Sequence, residues 1–134
     1  MESKRDLKDS TRRFALDIID LVDALAKDRV TTHMGIQLLR SGTSVGANYC
    51  AASKGRSNAE LYSKLCICEE EADECGYWLE LISESDRAHT PVDRLRKESE
   101  ELVSIFAKAK KTLVARGIRE DRKPYGIREE TLSE

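Results

Sequence analysis

The sequence predicts an all-α protein, an antiparallel up-and-down four-helix bundle, and three observations predict it. Charged residues make up 36% and aromatics 5% of the 134 residues, with two Pro and seven Gly, a balance that favours long helices over sheet. In the segments around Ile18, Cys75 and Leu102, apolar residues recur by alternating threes and fours, the spacing of one helical face. Cap and turn residues fall between the patterned segments, so connections are short and the apolar stripes meet most simply between antiparallel neighbours. One domain is expected over residues 1–117, followed by a mobile charged tail, 118–134, which contains Pro124 and Gly126 and has no periodicity.

Helix 1 is expected over Asp9 to Lys27, with Leu7, Thr11, Phe14, Ile18, Leu21 and Leu25 on one face. The charged stretch Lys27 to Arg29 separates it from helix 2, for which Thr31 and Thr32 are candidate N-caps. Helix 2 carries LRSGTSVGANYCAASKGRS, Leu39 to Ser57, built almost wholly from Gly, Ala, Ser, Thr and Cys. A phosphate-binding loop would read GxxxxGK[ST] or GxGxxG after a strand, and neither pattern is present. Gly42, Gly46 and Cys50 instead fall four apart on one helical face, where small side chains let another backbone come near. Thr43 and Ser44 are expected to return their hydroxyls to the preceding turn. Each interior Gly costs about 1 kcal/mol relative to Ala, so a packing or assembly demand is needed to hold it there. Gly55 is expected to end the helix.

Ser57 followed by Glu60 is a capping-box arrangement that starts helix 3. Its face is a heptad seam of Leu61, Leu65, Cys68, Ala72, Cys75, Leu79 and Ile82, over about 28 residues and about 40 Å at 1.5 Å per residue. Helix 4 is expected to open with Thr90 as N-cap, Pro91 at the first helical position and Asp93 near the positive end of the dipole. It continues through Val92, Leu95, Ser99, Leu102, Phe106, Ala109 and Leu113, and Gly117 stops it.

The N-terminus has no apolar core of signal-peptide length and no apolar run approaches the roughly 18 residues of a membrane span, so a cytoplasmic protein with no membrane partner is expected. Cys50, Cys66, Cys68 and Cys75 show neither CxxC pairing nor a His at metal spacing and are read as reduced core residues. A di-iron bundle needs ExxH on two helices, and none occurs. His33 and His89 are far apart and read as solvent or capping residues, and the acidic run Glu69, Glu70, Glu71, Asp73, Glu74 reads as a solvated face. No Ser, Cys or Thr has a His at a recognisable catalytic spacing, so neither enzyme activity, metal nor cofactor is expected.

The net charge of −2 conceals an uneven distribution, with helix 2 basic and helix 3 strongly acidic, so the two are expected to attract each other along their lengths. Arg40, Lys54 and Arg56 on helix 2, and Lys108, Lys110, Lys111 and Arg116 near the end of helix 4, are the candidates for phosphate contacts. In an up-and-down bundle helices 2 and 4 run the same way, which gathers most of these bases at one end. Tyr77, Trp78 and Leu81 lie beside the helix 3 seam and are candidates for an oligomer interface. They support an alternative function, an oligomeric scaffold with a protein partner and no nucleic-acid role.

RSGTSVGAN at Arg40 to Asn48, joined to YWLEL at Tyr77 to Leu81, resembles the bacterial four-helix-bundle family named after intervening sequences of 23S ribosomal RNA genes, also called the S23 ribosomal protein family. The likeness extends over most of Phe14 to Leu113. It implies a helical bundle that assembles as a ring-like homopentamer and has no established enzyme activity. A more distant similarity, to the accessory protein of diversity-generating retroelements, implies binding of RNA or DNA.

Overall fold

The computed structural model describes residues 6–88 and 91–117, and within them the chain folds into α1 (Leu7–Ala24), α2 (Arg29–Ser53), α3 (Asn58–Glu84) and α4 (Asp93–Ala115). Each helix packs along the next, and a slighter contact between α1 and α4 closes the four-helix bundle. The core is the meeting of four stripes: Phe14, Ile18 and Leu21 from α1, Leu38 and Val45 from α2, the α3 seam, and Leu95, Leu102 and Phe106 from α4. All the seam positions expected on α3 are buried except Leu61, which is half-buried against the core. The tail expected at 118–134 lies outside the described residues, as do His89 and Thr90.

The helix boundaries follow the strongest local acceptor. α1 begins two residues earlier than expected because the Asp6 carboxylate accepts from the Asp9 N–H at 3.3 Å. It ends at Ala24 rather than Lys27, since Leu25 turns extended while keeping its side chain in the core. α2 is capped by Asp28, not by Thr31 or Thr32, because the Asp28 carboxylate takes both the Thr31 N–H at 2.9 Å and the Thr31 hydroxyl at 2.8 Å. α4 starts at Asp93, after Pro91, with Val92 at the cap position and no side-chain cap bond; Val92 is instead drawn into the core.

The Ser57 cap is as expected, its hydroxyl accepting from the Glu60 N–H at 3.1 Å. Its reciprocal half is shifted by one residue, because the Glu60 carboxylate takes the Arg56 N–H at 2.8 Å. Gly117 adopts φ +100 and ends α4, its N–H bonding the Val114 carbonyl at 2.9 Å. Asp86 stands at φ 62 after α3 and lets the Arg87 N–H close back on the Ile82 carbonyl at 3.1 Å.

Arg87 joins the α3–α4 connection to the start of α2. Its Nη1 donates to the Thr31 hydroxyl at 2.9 Å and lies 3.3 Å from Asp28 Oδ1. The bonds from Thr31, with the Arg87 charge, hold the Asp28 carboxyl below its usual value of 3.8. A lowered folded-state value stabilises the fold above the unfolded value, and that stability is lost as pH falls through the folded one. Asp28→Asn is therefore expected to lower the melting temperature at pH 7, with the gap to the parent closing below about pH 3.8; scans across pH check this.

The small residues of α2 do admit a close neighbour. A Cβ on Gly42 would stand 2.9 Å from Ile18 Cγ2, and one on Gly46 would stand 3.1 Å from the Thr11 hydroxyl. Gly35, which the sequence reading passed over, continues the stripe with a Cβ position 3.2 Å from Val22 Cγ1. Cys50 does not: it is exposed beside the α1–α2 groove, because this late in α2 its position on the helix faces outward. Thr43 donates to the Leu39 carbonyl at 2.9 Å as expected, whereas the Ser44 carbonyl receives the Asn48 amide at 2.9 Å.

Candidate nucleic-acid interface

Lys54 caps α2, Arg56 lies in the turn before α3, Lys108 and Lys111 occupy the last turns of α4, and Arg116 caps it; all five are exposed. Their common location follows from topology, since α2 and α4 run in the same direction. Tyr49 against Phe106, with ring centroids 6.2 Å apart, ties these two helix ends together through the core. Lys8 in the first turn of α1 and Lys64 in the second turn of α3 belong to the same end. Sequence reasoning missed them because Lys64 is a lone base among acids and Lys8 belongs to a different helix from the other candidates, and only the antiparallel turns bring them beside the others.

Arg40 and Lys110 are placed differently. Arg40 lies fourteen residues before Lys54, about 21 Å up the helix at 1.5 Å per residue. Its guanidinium is 2.8 Å from Glu74 and 3.7 Å from Glu71, so it ties α2 to α3. Lys110 Nζ lies 2.8 Å from Glu69 Oε1 and 5.6 Å from the centre of the Tyr62 ring, tying α4 to α3. The acidic run is thus not simply a solvated face. Glu70 and Asp73 are exposed, whereas Glu69, Glu71 and Glu74 hold the two neighbouring helices. Burial pushes the Glu71 carboxyl up, against the pull of Arg40. The attraction expected between α2 and α3 along their lengths is realised, among the described ion pairs, at Arg40 alone.

Glu74 also receives the Trp78 indole N–H at 3.0 Å. The Trp78 ring meets His33 edge-on with centroids 6.1 Å apart and Tyr77 at 5.1 Å. Trp78 and Leu81 pack against the core while Tyr77 is 55% exposed, so of the three only Tyr77 stands clear of the bundle. His33 is exposed, in the second turn of α2.

The expectation that all four thiols are core residues holds for Cys68 and Cys75, which are buried; Cys66 is half-buried and Cys50 exposed. Burial pushes the Cys68 and Cys75 thiols up to about 12, which removes them as nucleophiles near neutral pH. In the folded protein a maleimide is expected to label Cys50 first and Cys66 more slowly. Cys68 and Cys75 should react only after denaturant is added, as peptide mapping would read. Among the described residues no group of His, Cys, Asp and Glu could hold a metal ion, and no helix is long and apolar enough to cross a membrane.

The family model described as 23S rRNA-intervening sequence protein matches residues 4–108. A solved structure of a protein of unknown function from the S23 ribosomal protein family of Bacteroides thetaiotaomicron VPI-5482 is 33% identical and superposes with a TM-score of 0.71. The alignment covers 78% of this chain and 94% of that one. Comparison with curated proteins finds no match.

Proposed function

The chain belongs to the 23S rRNA-intervening sequence protein family, and from that premise we propose that it is a non-enzymatic, self-associating helical bundle of the cytoplasm that binds RNA or DNA through its basic end. The observation that carries the reading is the gathering of Lys54, Arg56, Lys108, Lys111 and Arg116, all exposed, at one end of the bundle. Phosphate contacts need clustered, unengaged cations, and an end repeated around an oligomer multiplies them without altering the sequence. Arg40 and Lys110 join this site only by leaving Glu74 and Glu69, so they are its weakest members. A ring of five copies is the number the resemblance implies, and the likeness to retroelement accessory proteins points toward the same ligand class.

The test is a titration of labelled structured RNA and of duplex DNA by anisotropy at low and near-physiological salt. Binding that weakens steeply with salt is expected. Absence of binding at low salt would overturn the reading in favour of a scaffold with a protein partner. The exposed Tyr77 ring favours that second reading, and Tyr77→Ala then tests it, through a changed native mass at unchanged helicity.

A further inference from the structure

The small residues of α2 do more than let α1 come close. Beside the glycine stripe, Thr43, Gly46, Ala47 and Cys50 of α2 form one wall of an open groove of about 510 Å³, whose other wall is α1. Nothing on the α2 wall is larger than threonine, so the groove stays open along its length. The α1 wall carries two cations. Lys8 and Arg12 stand one above the other at a spacing of four, both are exposed, and neither makes an ion pair among the described residues. The two acids at the groove are already engaged, Asp6 in capping α1 and Asp9 with Arg13 at 3.3 Å.

This groove opens onto the basic end. Cys50 and Lys54 are one turn apart on α2, and Lys8 already belongs to that end. From Thr43 to Lys54 the α2 wall runs eleven residues, about 16 Å at 1.5 Å per residue.

We propose that the groove takes a single-stranded stretch of the nucleic acid whose paired part sits on the basic end, with phosphates on Lys8 and Arg12 and sugars and bases against the small side chains of α2. The inference rests on the nucleic-acid reading of that end and narrows its ligand to a duplex with a single-stranded extension. Charge selects an anionic occupant, because the cations of the groove are unengaged and its acids are held. Width selects one strand rather than two. Axes of packed helices lie about 8 to 10 Å apart, and a cleft between them is too narrow for a duplex. Grooves for single strands commonly add aromatic rings on which bases stack, whereas no aromatic residue is among those lining this one. The contact is therefore made to the backbone and is indifferent to base sequence. Cys50, exposed at the groove, is a reporter already in place.

The test is an anisotropy titration of the full chain with a blunt RNA hairpin, and with the same hairpin carrying a short single-stranded uridine extension at either end of the strand. The extension is expected to tighten binding on the order of tenfold at low salt. It should also steepen the slope of log affinity against log salt by about 1.4, two phosphate contacts at about 0.7 each on a single strand. Arg12→Glu is expected to remove this gain while the blunt hairpin binds as it does to the parent, with helicity kept because Arg12 is exposed. The extended hairpin should slow maleimide labelling of Cys50 several-fold, and the blunt one should not. Equal affinity for the two hairpins, a gain that survives Arg12→Glu, or Cys50 labelled alike whichever hairpin is bound would overturn the groove and leave the basic end standing. Binding of neither hairpin at low salt would overturn both.

Discussion

Gly42→Leu is expected to lower the melting temperature by about 10 °C or more. A Cβ at this position already stands 2.9 Å from Ile18 Cγ2, and Ile18 is fully buried and cannot swing aside. Overpacking of this kind costs about 1 to 3 kcal/mol, and a leucine adds branches beyond the Cβ, which places it at the upper end. For a domain near this size each kcal/mol moves the midpoint by about 4 to 8 °C. Gly42→Ala is expected to fall near zero, because the roughly 1 kcal/mol gained in helix propensity offsets the tight contact. Ile18→Ala combined with Gly42→Leu should recover part of the loss, and a double-mutant cycle by thermal melts measures the coupling. Additive losses would mean that the small-residue stripe does not set the distance between α1 and α2.

Reversing Lys54, Arg56 and Lys111 together to Glu is expected to weaken nucleic-acid binding by about 10² to 10³ at low salt. Each lost phosphate contact takes about 0.9 off the slope of log affinity against log salt on duplex DNA, so three contacts take about 2.7. These side chains are exposed and make no ion pair among the described residues, so helicity should not change. Arg40→Gln should behave in the opposite way. It removes the partner of Glu71 and Glu74 and is expected to lower the melting temperature while leaving affinity and salt slope intact. Equal losses of affinity in both variants would place the nucleic acid along the side of the bundle rather than on its end.

The fold was legible because periodicity is a property of local sequence. The seam from Leu65 to Ile82, the Ser57 cap and the Gly117 stop each depend on residues no more than a few turns apart. The misplaced starts of α2 and α4 have different causes. Asp28 is the stronger local acceptor and takes the cap from Thr31 and Thr32, whereas at α4 a tertiary demand decides, Val92 entering the core. The candidate site was legible as a basic end shared by helices 2 and 4, but not in which of its bases are already held by acids. Nothing in the sequence around Arg40 or Lys110 says that Glu74 and Glu69 will meet them, because those acids come from another helix. Lys8 and Lys64 were invisible for the converse reason, being far in sequence from the other bases and adjacent to them only in space.

The slight contact between α1 and α4 has a kinetic consequence. α1 is the shortest helix, 18 residues, and is held chiefly by α2 along the glycine stripe. It can leave while α2, α3 and α4 remain packed on one another, so its amides should exchange with deuterium by a partial opening well below the global unfolding barrier. The remaining contacts join helices consecutive in the chain, a topology of short loop closures that favours collapse in microseconds to milliseconds. In such a bundle α1 is expected to be the last helix to dock, and its amides the first to exchange.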